Sequence, residues 1–196
     1  MEFLPIKNDF FDCSVDSDGI ATLSIHMKQE PTNLFSIEFI NHYLNTAKQL
    51  VENPSVIGVV VGSGHRDFMA GADLKFIANP PEDKKALFEG LLEAHRGFRA
   101  LEQAGKPFVA ALNGTALGGG YELALTCHYR IALNNSKIKI GLPEVNLGLL
   151  PGGGGTQRLS YLIGIPKALT YILQGKQFSP KRALEEGYID QLVEQE

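Results

Sequence analysis

Hydrophobic and polar positions along the chain follow two distinct periods. In residues 20–26, Ile-Ala-Thr-Leu-Ser-Ile-His, positions Ala21, Leu23 and Ile25 share a face, which predicts a half-buried strand. Over residues 36–52 the apolar positions Ile37, Ile40, Leu44, Ala47 and Val51 recur at helical spacing. Ser36 can cap that helix and Asn53-Pro54 stops it. Residues 56–61 form a continuous apolar run, as expected of a strand covered on both faces. A helix-sized segment then spans 80–104 and ends at Gly105-Lys106-Pro107. Residues 108–112, Phe-Val-Ala-Ala-Leu, predict another buried strand, turned by Asn113-Gly114. The order strand, helix, strand, helix, strand argues for an α/β domain with a largely parallel central sheet. Shorter pieces continue the alternation: a short apolar helix at 122–126, strands at 129–132 and 138–141, and helices at 156–163, 166–174 and 180–186. No low-complexity tract, fixed-period repeat or linker interrupts the pattern, so residues 1–196 read as one domain.

Composition narrows the class. A chain of 196 residues can bury about 70% of its unfolded surface, and 44% hydrophobic with 20% charged residues supplies an ordinary globular core. No apolar run approaches the ~20 residues of a membrane span. The start Met1-Glu2-Phe3-Leu4-Pro5 lacks the basic and apolar regions of a secretory signal, so a soluble, cytoplasmic protein is expected. Eighteen basic residues against 22 acidic give a net charge of −4, and the basic ones are dispersed rather than striped with aromatics; nucleic-acid binding is disfavoured. Cys13 and Cys127 lie too far apart in sequence for a zinc ribbon, and none of the five histidines sits at metal-ligand spacing, so no metal site is expected.

The 21 glycines are clustered, and the clusters carry the candidate chemistry. Leu117-Gly118-Gly119-Gly120-Tyr121-Glu122 follows a buried strand and opens a helix. Such a run lets backbone approach a ligand, frees the first helical N–H groups for a developing anion, and sets Glu122 about one turn further on. The same run also reads as a bend for close helix–strand packing, with Glu122 favouring the helix N-terminus; the pattern alone leaves both open. Residues 65–74, from His65 through Ala70-Gly71-Ala72-Asp73-Leu74, follow the strand 56–61 at the carboxyl end, where open α/β sheets place ligands. Backbone N–H groups near Gly71 and Ala72 can supply a second donor, or Asp73 can simply cap the next turn. Gly141-Leu142-Pro143-Glu144 presents another carboxylate on a loop stiffened by proline. Two carboxylates converging beside an anion-stabilising backbone make an acid/base pair. Gly152-Gly153-Gly154-Gly155-Thr156 lacks the lysine of a phosphate-binding loop and reads as a tight turn into the helix 156–163. Ser63 is not in a nucleophile elbow, and no convincing Ser/His/Asp set for a peptidase is present.

Together, residues 68–74 (Phe-Met-Ala-Gly-Ala-Asp-Leu), 113–122 (Asn-Gly-Thr-Ala-Leu-Gly-Gly-Gly-Tyr-Glu) and 141–159, from Gly-Leu-Pro-Glu to Gly-Gly-Gly-Gly-Thr-Gln-Arg-Leu, strongly resemble the enoyl-CoA hydratase/isomerase (crotonase) family. The connection between the glutamates, through Cys127-His128-Tyr129-Arg130, looks most like the amino-terminal hydratase module of multifunctional fatty-acid oxidation alpha subunits. The resemblance implies a spiral of ββα units with two sheets and a helical carboxyl-terminal part, and an acyl-CoA thioester as substrate. It puts Ala72 and Gly119 at the oxyanion-hole positions, Glu122 and Glu144 at the catalytic positions, and Ala70, Gly71, Asp73, Leu74 and Gly118 at substrate and CoA contacts. It implies hydration of 2-enoyl-CoA in fatty-acid β-oxidation, with enoyl-CoA Δ3,Δ2-isomerase or a non-catalytic acyl-CoA-binding module as the alternatives. No cofactor is implied here; NAD belongs to a 3-hydroxyacyl-CoA dehydrogenase module expected downstream. Further helices of the family domain are expected after Glu196, together with a homo-oligomer or a complex with a thiolase subunit. On that expectation the 196 residues keep the catalytic constellation and turn over weakly or not at all.

Overall fold

A computed structural model describes residues 5–73 and 77–194. Its main layer is a seven-stranded sheet in the order β1-β2-β3-β4-β5-β7-β10. The strands are β1 (Ile6–Lys7), β2 (Phe11–Val15), β3 (Ile20–Ile25), β4 (Gly58–Ser63), β5 (Phe108–Leu112), β7 (Tyr129–Leu133) and β10 (Gln191–Val193). The meander β1-β2-β3 is antiparallel, and from β3 onward every neighbour is parallel. Parallel pairing needs crossovers, and helices supply them. Helix α1 (Ile37–Glu52) joins β3 to β4, α2 (Lys84–Glu102) precedes β5, and α3 (Gly119–Leu125) precedes β7. Two-residue strands β6 (Ala116–Leu117), β8 (Ile140–Gly141) and β9 (Gln177–Phe178) build a second, three-stranded sheet. A 3₁₀ turn (Glu144–Leu147) and helices α4 (Gly155–Ile163), α5 (Ile165–Leu173) and α6 (Pro180–Glu185) complete the described fold.

Local chemistry sets most boundaries. Ser36 caps α1 by accepting the Phe39 N–H at 3.1 Å, and Asn53 ends it before Pro54. In β3, Ala21, Leu23 and Ile25 are all fully buried. Two expectations shift. The strand read at 56–61 lies at Gly58–Ser63, because the ladder with β3 runs on to Ile25↔Ser63 while Ile57 turns outward to 60% exposure. The helix read at 80–104 is confined to 84–102, since Asp83, not the prolines before it, accepts the Lys85 and Ala86 N–H groups.

The buried face of α1 also differs from the expected stripe. Phe39, Ile40, Tyr43, Thr46, Ala47 and Leu50 are buried, whereas Ile37, Leu44 and Val51 are only partly covered. The helix is apolar over about half its circumference, and its rings are drawn into the aromatic core. There Phe39 stacks on Tyr43 at 5.9 Å and Phe35 on Phe98 at 6.1 Å. Fully burying one such ring contributes about 1.5–3 kcal/mol.

The carboxyl ends of the parallel strands are stitched to one another. Phe35 bridges Ala72 and Met69 bridges Ala116, both parallel, while β6 pairs with β8 and Gly118 donates its N–H to the Gly141 carbonyl at 3.0 Å. The chain segments around residues 70, 118 and 142 are thereby drawn together at one end of the sheet.

Candidate active site

Those segments enclose a cavity of about 630 Å3. Ala70, Gly71, Ala72, Asp73, Gly118, Gly119, Glu122 and Glu144, eight of the nine candidate residues, all line it. The ninth, Leu74, lies outside the described residues. Apolar side chains, among them Leu34, Ile37, Ile77, Leu91 and Phe98, form most of the remaining wall.

Two backbone N–H groups are left for a ligand by the way the segments pair. In the Phe35–Ala72 bridge it is Phe35 that donates, to the Gly71 carbonyl at 2.9 Å. In a parallel bridge the residue opposite the bonded one turns its own N–H away, so that of Ala72 is not spent on Phe35. Gly119 is the first residue of α3, whose first intrahelical acceptor is used only at Glu122 (N–H to the Gly118 carbonyl, 2.9 Å); its N–H has no partner within the helix. Gly118, the N-cap, has φ +53° and ψ −127°, a conformation that excludes a side chain with a Cβ. Gly119 is required for space: a Cβ there would lie 2.5 Å from Cγ of Phe35.

The two carboxylates differ in environment. Glu122, one turn into α3, is 3% exposed, and its Oε1 accepts the Gly155 N–H at 2.7 Å. Burial raises its proton affinity, and hydrogen bonds from the backbone of Gly155 and Gly153 and the charge of Arg158 oppose the rise without cancelling it. Glu144 begins the 3₁₀ turn, with Pro143 at its cap. Both its oxygens are shut off from solvent and find no hydrogen-bond partner among the described residues. Burial, opposed by its own N–H and reinforced by the negative charge of Glu122, pushes the Glu144 carboxyl up to about 7. One carboxylate is anchored; the other is held close to protonation with its oxygens uncommitted. Such an arrangement can take a proton at one point of a bound molecule and deliver one at another.

Three contributors carry no local signal in the sequence. Gly153 and Gly155 look like a helix-opening turn, which they form, and they also bind Glu122. Phe35 lines the cavity and packs on Gly119. Ser63, weighed as a nucleophile, is spent on the loop after β4: its Oγ accepts the His65 N–H at 3.0 Å and donates to the Asp67 carbonyl at 2.7 Å. Among the described residues no three His, Cys, Asp or Glu side chains gather where they could hold a metal ion, and no helix is long and apolar enough to cross a membrane.

The chain is similar to known proteins in sequence and in fold. The family described as enoyl-CoA hydratase/isomerase matches residues 16–196. A protein named fatty acid oxidation complex subunit alpha from Shewanella amazonensis is 43% identical over 186 residues, covering 93% of this chain and 26% of that one. Its namesake from Shewanella loihica is 44% identical over 179 residues, covering 90% and 25%. The chain thus spans about a quarter of the length of these relatives. Among solved structures, an enoyl-CoA hydratase from Geobacillus kaustophilus superposes with TM-score 0.89 at 32% identity, over 98% of this chain and 71% of that one. Human mitochondrial Δ3-Δ2-enoyl-CoA isomerase superposes with TM-score 0.82 at 30% identity, over 94% and 70%.

Proposed function

The chain belongs to the enoyl-CoA hydratase/isomerase family, and we propose that it adds water across the 2,3 double bond of a 2-enoyl-CoA thioester, giving a 3-hydroxyacyl-CoA in fatty-acid β-oxidation. The observation that carries the reading is the pairing, in one cavity, of an anchored Glu122 with a Glu144 whose oxygens meet no hydrogen-bond partner among the described residues. The N–H groups of Ala72 and Gly119 receive the thioester oxygen. Glu122 orients a water molecule and takes its proton as the oxygen bonds to the β carbon. The alkene electrons move onto the thioester carbonyl, where the two N–H groups stabilise the charge. Glu144 then delivers its proton to the α carbon, completing a redox-neutral addition that calls for no metal or cofactor. Ala70, Gly71 and Asp73 contact the adenine end of CoA through their backbone, Gly118 adjoins the thioester, and the apolar wall takes the acyl chain.

The relatives' length and name support a wider setting as the amino-terminal hydratase domain of a multifunctional cytoplasmic alpha subunit. In that setting a NAD-dependent dehydrogenase module consumes the product, and the subunit assembles with itself or with a thiolase. A second reading, Δ3,Δ2-isomerisation, is favoured by one feature only: Glu144 alone suffices to move a proton between two carbons.

The test follows the ultraviolet absorbance of crotonyl-CoA with the protein and identifies the product. Loss of the conjugated thioester with formation of 3-hydroxybutyryl-CoA is expected, at a low rate for these 196 residues. Conversion of a 3-enoyl-CoA without hydration would establish the isomerase, and binding of CoA esters with neither reaction would leave an acyl-CoA-binding module.

A further inference from the structure

Glu122 is held by backbone, and that backbone is itself held from behind. The peptide unit joining Gly152 to Gly153 lies against Glu122, where a Cβ on Gly153 would come within 2.8 Å of Oε2 and where its N–H favours the ionised carboxylate, while its carbonyl meets Nε2 of His95 at 2.9 Å. A carbonyl only accepts, so Nε2 carries the hydrogen. The unit joining Gly154 to Gly155 repeats the arrangement: its N–H donates to Glu122 at 2.7 Å and its carbonyl accepts the Arg158 backbone N–H at 3.0 Å. Between them, the Gly153 carbonyl accepts Nη1 of the Arg158 side chain at 3.0 Å. The guanidinium does not float: its Nε is paired with Oε1 of Glu102, whose Oε2 binds Arg99 at 2.9 Å. Its Cζ lies 6.0 Å from the centre of the Phe98 ring, and the side chains of both Arg158 and Glu102 are more than four-fifths buried. His95, Phe98 and Glu102 all project from α2, which has no residue in contact with Glu122 by hydrogen bond.

We propose that His95 and the Arg158–Glu102 pair are positioning residues that clamp the 152–155 glycine loop from α2 and thereby orient the Glu122 carboxylate for the reaction. This rests on the hydratase reading for its consequence in turnover, although not for the clamp itself. Bonding a peptide carbonyl strengthens the donor at the other end of the same unit, so the clamp also adds to the pull of both N–H groups on the ionised carboxylate. The charged groups around Glu122 are Arg158, on α4, and Glu144, on the 3₁₀ turn. Arg158 favours the ionised form and Glu144 opposes it. Loss of the clamp therefore moves Glu122 toward protonation and lets the loop drift from a geometry in which a 1 Å error costs on the order of 10²-fold.

The experiment compares His95→Ala, His95→Gln and Arg158→Gln with the parent protein in two independent readouts. The first is the Glu122 titration midpoint, followed by isotope-edited NMR of its side-chain carboxyl in a Glu144→Gln background so that the two carboxylates do not titrate as a pair. The midpoint should rise in His95→Ala and Arg158→Gln and return toward the parent in His95→Gln, whose amide can still donate to Gly152. The second is steady-state hydration: kcat should fall ~10- to 10²-fold in His95→Ala and Arg158→Gln with KM little changed, and the acid limb of the rate profile should move to higher pH. If Arg158→Gln does not fold, the His95 pair still decides, because that side chain reaches solvent. Folded His95 variants with an unmoved midpoint would overturn the inference. A parent protein that hydrates nothing would end the hydratase reading alone, since the midpoints are read without turnover.

Discussion

Glu122 and Glu144 line one cavity in opposite states of engagement: Oε1 of Glu122 takes the Gly155 N–H at 2.7 Å, whereas neither oxygen of Glu144 meets a hydrogen-bond partner among the described residues. The asymmetry assigns the roles. A carboxylate fixed by amide donors is suited to hold a nucleophilic water in one orientation. One with free oxygens and raised proton affinity is suited to give a proton away and receive it back.

Replacing either glutamate with glutamine should therefore slow the chemistry and spare binding. Glu122→Gln and Glu144→Gln should each lower the hydration rate by ~10²–10⁴, while titration calorimetry with a saturated acyl-CoA gives the parent affinity. Gln keeps the size of the side chain and removes its proton transfer. A variant retaining near-parental turnover would remove that residue from the mechanism.

The rate should depend on pH in a definite sense. Hydration as proposed needs Glu122 ionised and Glu144 protonated. Because the folded Glu144 sits at about 7, kcat/KM should decline as pH rises through that value, and should decline again on the acid side as Glu122 takes up a proton. The two groups interact, so the limbs belong to the pair. A rate still climbing well above pH 7 would contradict the assignment of Glu144 as the acid.

The same shift has a consequence for stability. Between the ordinary value of 4.5 and the folded value of about 7 the native protein binds a proton that the unfolded chain releases, so stability falls as pH rises across that window. Glu144→Gln removes the term. The variant should be more stable than the parent above about pH 7, by about 1 kcal/mol, because the neutral amide avoids placing a charge in this covered site beside Glu122. The advantage should fade toward pH 4.5. Urea denaturation on both sides of the window reads it directly, and a variant less stable than the parent at high pH would contradict the account.

Much of this was legible because it is local. Ser36 and Asn53-Pro54 bound α1 as expected, and Phe108–Leu112 is a strand to the residue. Strand β2 carries the usual alternation in Phe11, Cys13 and Val15, readable once it is looked for. What escapes local reading depends on distant partners. Strand β9 is two residues that pair only because β8 arrives from 36 and 38 positions earlier (Gly141↔Gln177, Ile140↔Phe178). The covered face of α1 is broader than its periodic stripe because this helix meets both the aromatic core and, through Leu44, Gly97 of α2. At the site, the two glutamates and the glycines before Glu122 stand out as motifs. His95 and Glu102 do not, because nothing in an amphipathic helix marks the side chain that will reach a loop 57 residues on.

Gly119 and Phe35 should behave as a coupled pair. Gly119→Ala places a methyl group 2.5 Å from Cγ of Phe35, so either the ring or the first turn of α3 must move. If the turn moves, an oxyanion donor is misplaced, and kcat should fall by ~10²–10³. Phe35→Ala opens the space, and the double variant should recover part of the loss that Gly119→Ala alone incurs. Additive effects in this cycle would mean that the contact does not set the donor.

Asn33 should prove a costly buried polar residue to remove. It is fully buried, and its side chain accepts the Met27 N–H at 3.1 Å and donates to the Ile25 carbonyl, Ser63 Oγ and Phe68 carbonyl at 3.1, 2.9 and 3.0 Å. Three acceptors share its two amide hydrogens, which ties the exits of β3 and β4 to the segment leading into Ala72. Asn33→Ala leaves a buried N–H and at least one buried carbonyl without partners, each worth ~1–3 kcal/mol, so a loss of about 2–4 kcal/mol is expected in urea denaturation. The same segment positions the Ala72 donor. At a temperature where the variant remains folded, kcat should therefore still be reduced relative to the parent. A variant that loses stability and keeps its full kcat would show that the 68–72 segment holds its place without Asn33.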